Sequence, residues 1–261
     1  MKLTLSLLML VLLSVSCAHK SENKKAKYSP VISYKIDGQT FAGEIKLPKK
    51  FKGQVPLVVI VHEWWGRNEF MQNRSELLNA AGFATLAVDL FGDAKVVETP
   101  PEAQALATPF YQNPQMGIER LGRFVEMAKL DPHVDAKKVY VIGFCFGGTQ
   151  ALNLARTGAD IAGVVSFHGG LASSLPQTAI KAKVLALNGL ADPMVPATER
   201  AAFEKEMKAI KANYKVVNYK NATHAFTNPK ATEVGKKFKI PVAYNKAAAD
   251  AAWKEMFAFF K

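Results

Sequence analysis

From residue 31 onward the chain switches between two hydrophobic spacings. Residues 31–36 and 40–47 place apolar side chains at every second position on either side of Asp37-Gly38, which predicts an amino-terminal β-hairpin closed by a tight turn. At 57–62 the alternation gives way to the continuous apolar run Leu-Val-Val-Ile-Val before His62, the signature of a strand covered on both faces of a parallel sheet. Runs of the same kind recur at 84–88, 138–142, 161–167, 184–187 and 216–219. Between them, residues 68–81, 114–129, 147–157, 197–211 and 246–260 carry apolar positions three and four apart, which predicts helices. Alternating strands and helices imply an α/β fold with a mainly parallel central sheet and helices on both faces. One domain over residues 31–261 accounts for the pattern, with no internal repeat.

The first thirty residues follow different rules. Met1-Lys2 precedes an apolar stretch over residues 3–15, too short to span a bilayer comfortably and without a cationic stop. Residues 1–16 are expected to be a signal peptide. Ser16 precedes Cys17 as a small residue precedes the acylated cysteine of bacterial lipoproteins, although Leu13 stands one place early for that motif. Lipidation at Cys17 is the favoured expectation, with a periplasmic or cell-envelope location. Cleavage after Ala18, releasing a soluble protein, is the alternative. Residues 17–30 are polar and hold four Lys against one Glu, which makes them a tether with too little apolar surface to pack.

Composition narrows the functions without choosing one. The chain has 261 residues, 49% hydrophobic and 21% charged, enough to bury a core without disulfides or a structural metal. The two cysteines, Cys17 and Cys145, are too few for a disulfide scaffold or a cysteine-based zinc site. Net charge is +12, but the lysines are scattered and form no basic stripe interleaved with aromatic residues. A solvated basic surface near anionic lipid is expected rather than nucleic-acid binding. Any membrane contact would run through Cys17.

Residues 139–148 read Val-Tyr-Val-Ile-Gly-Phe-Cys-Phe-Gly-Gly, a strand leading through G-x-C-x-G-G into a helix. This is a nucleophile elbow with cysteine where serine usually stands. The glycines at 143 and 147 are needed because side chains there would strike neighbouring backbone, and the following helix amino terminus favours a thiolate at Cys145. A weak nucleophile needs a base, and the base an orienting acid. Asp192 follows the run 184–187 and His224 follows 216–219, so nucleophile, acid and histidine stand in the required chain order. Taken singly, Asp192 also suits an Asx-turn or helix cap before Pro193, and His224 a surface loop. His62-Glu63-Trp64-Trp65 opens like H-E-x-x-H but lacks the second histidine, so no zinc site is expected. Glu63 lies just past a central strand, where it could reach the thiol, and the Trp64 and Phe146 N–H groups could form an oxyanion hole. Equally, Glu63 could cap the helix near residue 68, and the two tryptophans could be packing.

These segments, HEWWG, AVDLFG (87–92), GFCFGG, SFHGG (166–170), GLADPMVP, HAFTNP (224–229) and the late stretch 243–260, resemble the dienelactone hydrolase family of α/β-hydrolases across nearly the whole folded body. The resemblance implies an α/β-hydrolase fold, Cys145 as nucleophile, His224 as base and Asp192 as its orienting acid. It implies Glu63 as a carboxylate that helps ionise the thiol when substrate arrives, and the Trp64 and Phe146 amides as oxyanion donors. No cofactor is implied. The sequence departs from the family where two arginines are expected to bind a substrate carboxylate. One region contains only Lys95, a point charge, and the other position is Asn228. Trp65, Phe91 and Phe226, with Trp64, Phe146 and Phe167, suggest a more apolar pocket, each being also a candidate for the core. The expectation is a monomeric hydrolase of small carboxylic esters, lactones or enol lactones, working through a thioester. Alternatives are a thiol-dependent acyltransferase on the same residues and a non-catalytic envelope binding protein.

Overall fold

In a computed structural model, residues 30–176 and 178–261 are described. The expected signal segment, Cys17 and all of the expected tether except Pro30 lie outside the described residues.

Why the central strands lack polar alternation is visible in their packing. Strand β3 (Val55–Val61) sends Leu57, Val59 and Val61 into one core and Val58 and Ile60 into the other. With both faces covered, each successive side chain must be apolar. The sheet has eight strands. They are β1 (Val31–Ile36), β2 (Gln39–Lys46), β3, β4 (Ala84–Val88), β5 (Val134–Phe144), β6 (Gly163–Phe167), β7 (Lys183–Gly189) and β8 (Tyr214–Tyr219), in spatial order β1-β2-β4-β3-β5-β6-β7-β8. The hairpin β1–β2 joins the sheet antiparallel to β4, and the remaining pairs are parallel. One face carries α3 (Pro114–Lys129), α4 (Phe146–Arg156) and α5 (Ala197–Ala209), through residues such as Phe124, Leu152 and Phe203. The opposite face carries α1 (Glu69–Ala80) and α7 (Lys246–Phe259), through Leu78, Trp253 and Met256.

Two helices differ from the sequence expectation. Helix α2 (Pro100–Gln112) falls in a stretch whose apolar spacing is weak and which contains Pro109. Its start is nevertheless marked: the Glu102 carboxylate accepts from the Thr99 N–H (3.2 Å) and hydroxyl (2.6 Å), followed by prolines at the first helical positions. Helix α6 (Ala231–Phe238) spans about two turns, too short for periodicity to stand out. Strand β5 also begins four residues before the apolar run at 138–142. After the buried Val134 its next residues are mostly polar and exposed, and its pairing with β3 shifts register between Val55 and Leu57, an irregularity that hydrophobic spacing does not encode.

Candidate active site

At the end of β5 the chain turns into α4 through Cys145, whose φ of 54° and ψ of −119° are a conformation that a non-glycine residue adopts only under constraint. The constraint is close backbone packing. A Cβ on Gly143 would lie 2.0 Å from the Gly147 carbonyl oxygen, and one on Gly147 would lie 2.4 Å from that of Val61. The turn is pinned from the side by its neighbouring strand. The Cys145 N–H donates to the Phe167 carbonyl at 3.0 Å and lies 3.2 Å from Nδ1 of His168.

His168 is fully buried, and burial followed by the nearby charge of His224 holds its pKa well below the usual value. It is therefore a neutral imidazole that accepts on Nδ1, which leaves its proton on Nε2, 2.8 Å from the Thr227 hydroxyl. Through this ring the elbow is tied to the loop carrying His224.

Asp192 and His224 come from the loops after β7 and β8 and meet at 2.8 Å between Oδ2 and Nδ1. The other Asp192 oxygen, Oδ1, accepts from the Met194 N–H at 2.8 Å. The Asx-turn and the histidine contact are thus both present, one on each oxygen. Burial opposes protonation of His224, but the charge of the Cys145 sulfur and the bond to Asp192 outweigh it and push its pKa up to about 10. Nε2 of His224 is buried and makes no well-formed hydrogen bond, so it is the nitrogen left for the sulfur and a substrate.

Glu63 follows β3 and is almost fully buried. Burial drives its pKa up to about 7, against the smaller opposing effects of a hydrogen bond from Asn228 and the charges of His224 and Arg74. Asn228 Nδ2 donates to its Oε2 at 2.7 Å, while Oε1 has no partner. Glu63 does not cap α1. That role belongs to Asn68, whose Oδ1 accepts from the Phe70 N–H at 3.1 Å. His62 is a buried structural histidine that ties the chain after β3 to the chain after β4, lying 2.6 Å from the Glu63 carbonyl oxygen and accepting from the Leu90 N–H at 3.2 Å.

Cys145, His224, Glu63, Trp64, Trp65, Phe146 and Asn228 all line one cavity of about 390 Å³. The backbone N–H groups of Trp64 and Phe146 make no hydrogen bond to any other described residue, as expected for Phe146 in the first turn of α4. Four expected pocket residues are elsewhere. Phe91 is buried against His62, Phe110 and Phe146, and Phe226 against His168 and Tyr219. Both rings lie in the core rather than in the cavity wall, packed among those neighbours. Phe167, in the core, stacks on Phe144. The Lys95 side chain is exposed and does not line the cavity. The wall is completed by residues the sequence did not single out, notably Tyr111 from α2, Thr149, Glu199 and the α6 residues Ala231 and Val234. The Thr99-x-x-Glu102 capping pattern was the available signal for the helix that carries Tyr111. No group of three or more His, Cys, Asp or Glu side chains among the described residues is placed to hold a metal ion.

The sequence profile of the dienelactone hydrolase family matches residues 41–261. The chain belongs to the dienelactone hydrolase family. It is a hydrolase acting on ester bonds. This family member is similar to a solved dienelactone hydrolase-like promiscuous phosphotriesterase from metagenomic libraries, at 32% identity over 89% of this chain and 97% of that one, with a TM-score of 0.83. Protein usf of Aquifex pyrophilus is 28% identical over 88% of this chain and 97% of its own. The solved dienelactone hydrolase of Anabaena variabilis, at 24% identity and a TM-score of 0.57 over 82% of this chain and 95% of that one, shares the fold.

Proposed function

We propose that the protein hydrolyses uncharged or cationic carboxylic esters and lactones through a cysteinyl thioester. The observation carrying this reading is the strained Cys145 facing the unpartnered Nε2 of a histidine whose Nδ1 is held by buried Asp192. The imidazolium favoured by the raised pKa of His224 pairs with a thiolate. The sulfur attacks the carbonyl carbon, and the carbonyl electron pair moves to oxygen, where the Trp64 and Phe146 N–H groups stabilise it. The intermediate collapses by breaking the C–O bond to the alcohol, which leaves with the proton from His224 Nε2. Neutral His224 then takes a proton from water, and the hydroxide attacks the thioester. The second collapse returns the electron pair to sulfur and releases the acid. Glu63, poised near pH 7, is a second acceptor for the thiol proton.

Substrate preference follows from the wall. With Lys95 in solvent and Asn228 occupied by Glu63, no lysine or arginine lines the cavity to receive a carboxylate. An apolar wall with that electrostatic character also suits a neutral phosphotriester, the substrate type in the name of the 32%-identical structure. The apolar segment before Cys17 supports export, with an anchor at Cys17.

The test is turnover of aryl esters, enol lactones, dienelactone and a phosphotriester by the protein and its Cys145→Ala variant. Loss of at least about 10³-fold in the variant is expected, with neutral substrates ahead of the dienelactone carboxylate. Full activity in Cys145→Ala overturns the reading, and an acyl burst without turnover redirects it to acyl transfer.

A further inference from the structure

The chain carries a surplus of twelve positive charges, yet none of its lysines or arginines lines the active cavity. The wall contains two carboxylates, Glu63 and Glu199, among the aromatic rings of Trp64, Trp65, Tyr111 and Phe146. The Oε1 atom of Glu63 is buried without a partner. Glu199 is held by one oxygen only: Oε1 accepts from the Leu171 N–H at 2.5 Å and the Ala172 N–H at 3.1 Å. Its other oxygen makes no hydrogen bond to a described residue, and Glu199 forms no ion pair. Aromatic rings beside carboxylates that no lysine or arginine of the wall neutralises form the environment that binds an organic cation.

Placement matters as much as charge. Thr149 stands one helical turn beyond Cys145 on α4, its N–H reaching back to the Cys145 carbonyl at 3.3 Å. Gly170 packs beside both Thr149 and Glu199: a side-chain carbon there would be 3.2 Å from Thr149 Oγ1 and 3.8 Å from Glu199 Oε1. Glu199 therefore neighbours Thr149, and through it the elbow, on one stretch of the cavity wall.

We propose that the cavity selects esters whose alcohol or thiol portion carries a quaternary or protonated ammonium group, which rests among Trp64, Trp65 and Tyr111 with Glu199 as its counter-charge. The inference rests on the hydrolase reading and names the substrate class of that site. Glu199 is the specificity-determining residue. The chemical steps at Cys145 and His224 are unchanged, and the ammonium compound departs with the proton from His224.

The test compares acetylthiocholine with 3,3-dimethylbutyl thioacetate, which replaces the ammonium by a neutral carbon of the same shape. A kcat/KM preference of about tenfold or more for the cationic ester is expected at low ionic strength. Glu199→Gln, which keeps an oxygen for the Leu171 and Ala172 amides, should abolish most of that preference, with the loss in kcat/KM falling chiefly on the cationic ester. Equal turnover of the two esters, or equal losses on both in the variant, overturns the proposal. Alkylation of Cys145 by iodoacetamide gives a readout that does not require turnover. Protection by choline but not by 3,3-dimethylbutanol, lost in Glu199→Gln, supports the cation site even if neither ester is hydrolysed, in which case the hydrolase reading alone fails. Absence of selective protection overturns the cation site whatever the enzyme hydrolyses.

Discussion

The cavity has two ionisable corners built on opposite plans. At the elbow, strain is stored in the backbone: Cys145 is forced to a positive φ, and the glycines, strand β6 and His168 hold it there with their hydrogen bonds made. At Glu63 the backbone is relaxed and the strain is electrostatic. A carboxyl is shut away from water with one hydrogen bond from Asn228, one bare oxygen and a partly desolvated Arg74 nearby, itself laid over Phe70 and Trp253. The contrast teaches that packing fixes a side chain in one geometry, whereas incomplete solvation brings a carboxyl close to both of its charge states.

The sharpest break is on the elbow side. Gly147→Ala puts a methyl group within 2.4 Å of one backbone oxygen and 2.6 Å of another, from Val61 and His62. Backbone cannot yield as a side chain can, so a stability loss of at least about 3 kcal/mol is expected, with loss of activity. Thermal melting alongside turnover checks it, and a native melting temperature would show the elbow to be more compliant than its packing indicates.

At the other corner, activity and stability should move in opposite directions. The folded pKa of Glu63, about 7, lies above its ordinary 4.5. Between those values the folded state holds a proton that the unfolded state has lost, so stability falls as pH rises through that window, by up to roughly 3 kcal/mol. Glu63→Gln removes the titration. Its melting temperature at pH 8 should exceed that of the parent by several degrees and approach it at pH 5. Its kcat/KM at pH 7 should drop by about 10²-fold, with the inflection near pH 7 gone.

Asn228→Ala sharpens the comparison with a smaller effect. The bond from Asn228 favours the ionised carboxyl, so its loss raises the Glu63 pKa further and moves the alkaline-going rise in activity to higher pH. At pH 7 a drop of about threefold is expected, and full pH–rate profiles separate this shift from a uniform loss.

These two corners were not equally legible in the sequence. The elbow is a local pattern, since a strand, two glycines at fixed spacing and a helix are all contained in ten residues. Asp192 and His224 could be placed in their loops because each follows a buried strand. Glu63 was visible as a residue past a strand, but its pairing with Asn228, 165 positions away, was not, and neither was the balance of burial and charge that sets its protonation. Position 228 shows the difference well. As a sequence position it suggested contact with substrate, whereas in the fold its amide is committed to Glu63, even though the residue lines the cavity.

What the sequence by itself determined is the set of things that neighbours along the chain control: which runs become strands, the turn at Cys145, the chain order of Cys145, Asp192 and His224, and the absence of an arginine where a carboxylate would need one. The tertiary structure alone decided what forms the wall. Phe91 and Phe226, aromatic and expected in the pocket, turn into the core, while Tyr111, Glu199 and the α6 residues Ala231 and Val234 line the cavity. The physical reason is that backbone conformation follows largely from local sterics and hydrophobic spacing. Which way a side chain at the sheet edge faces, and how far it is stripped of water, depends instead on elements packed against it from distant parts of the chain.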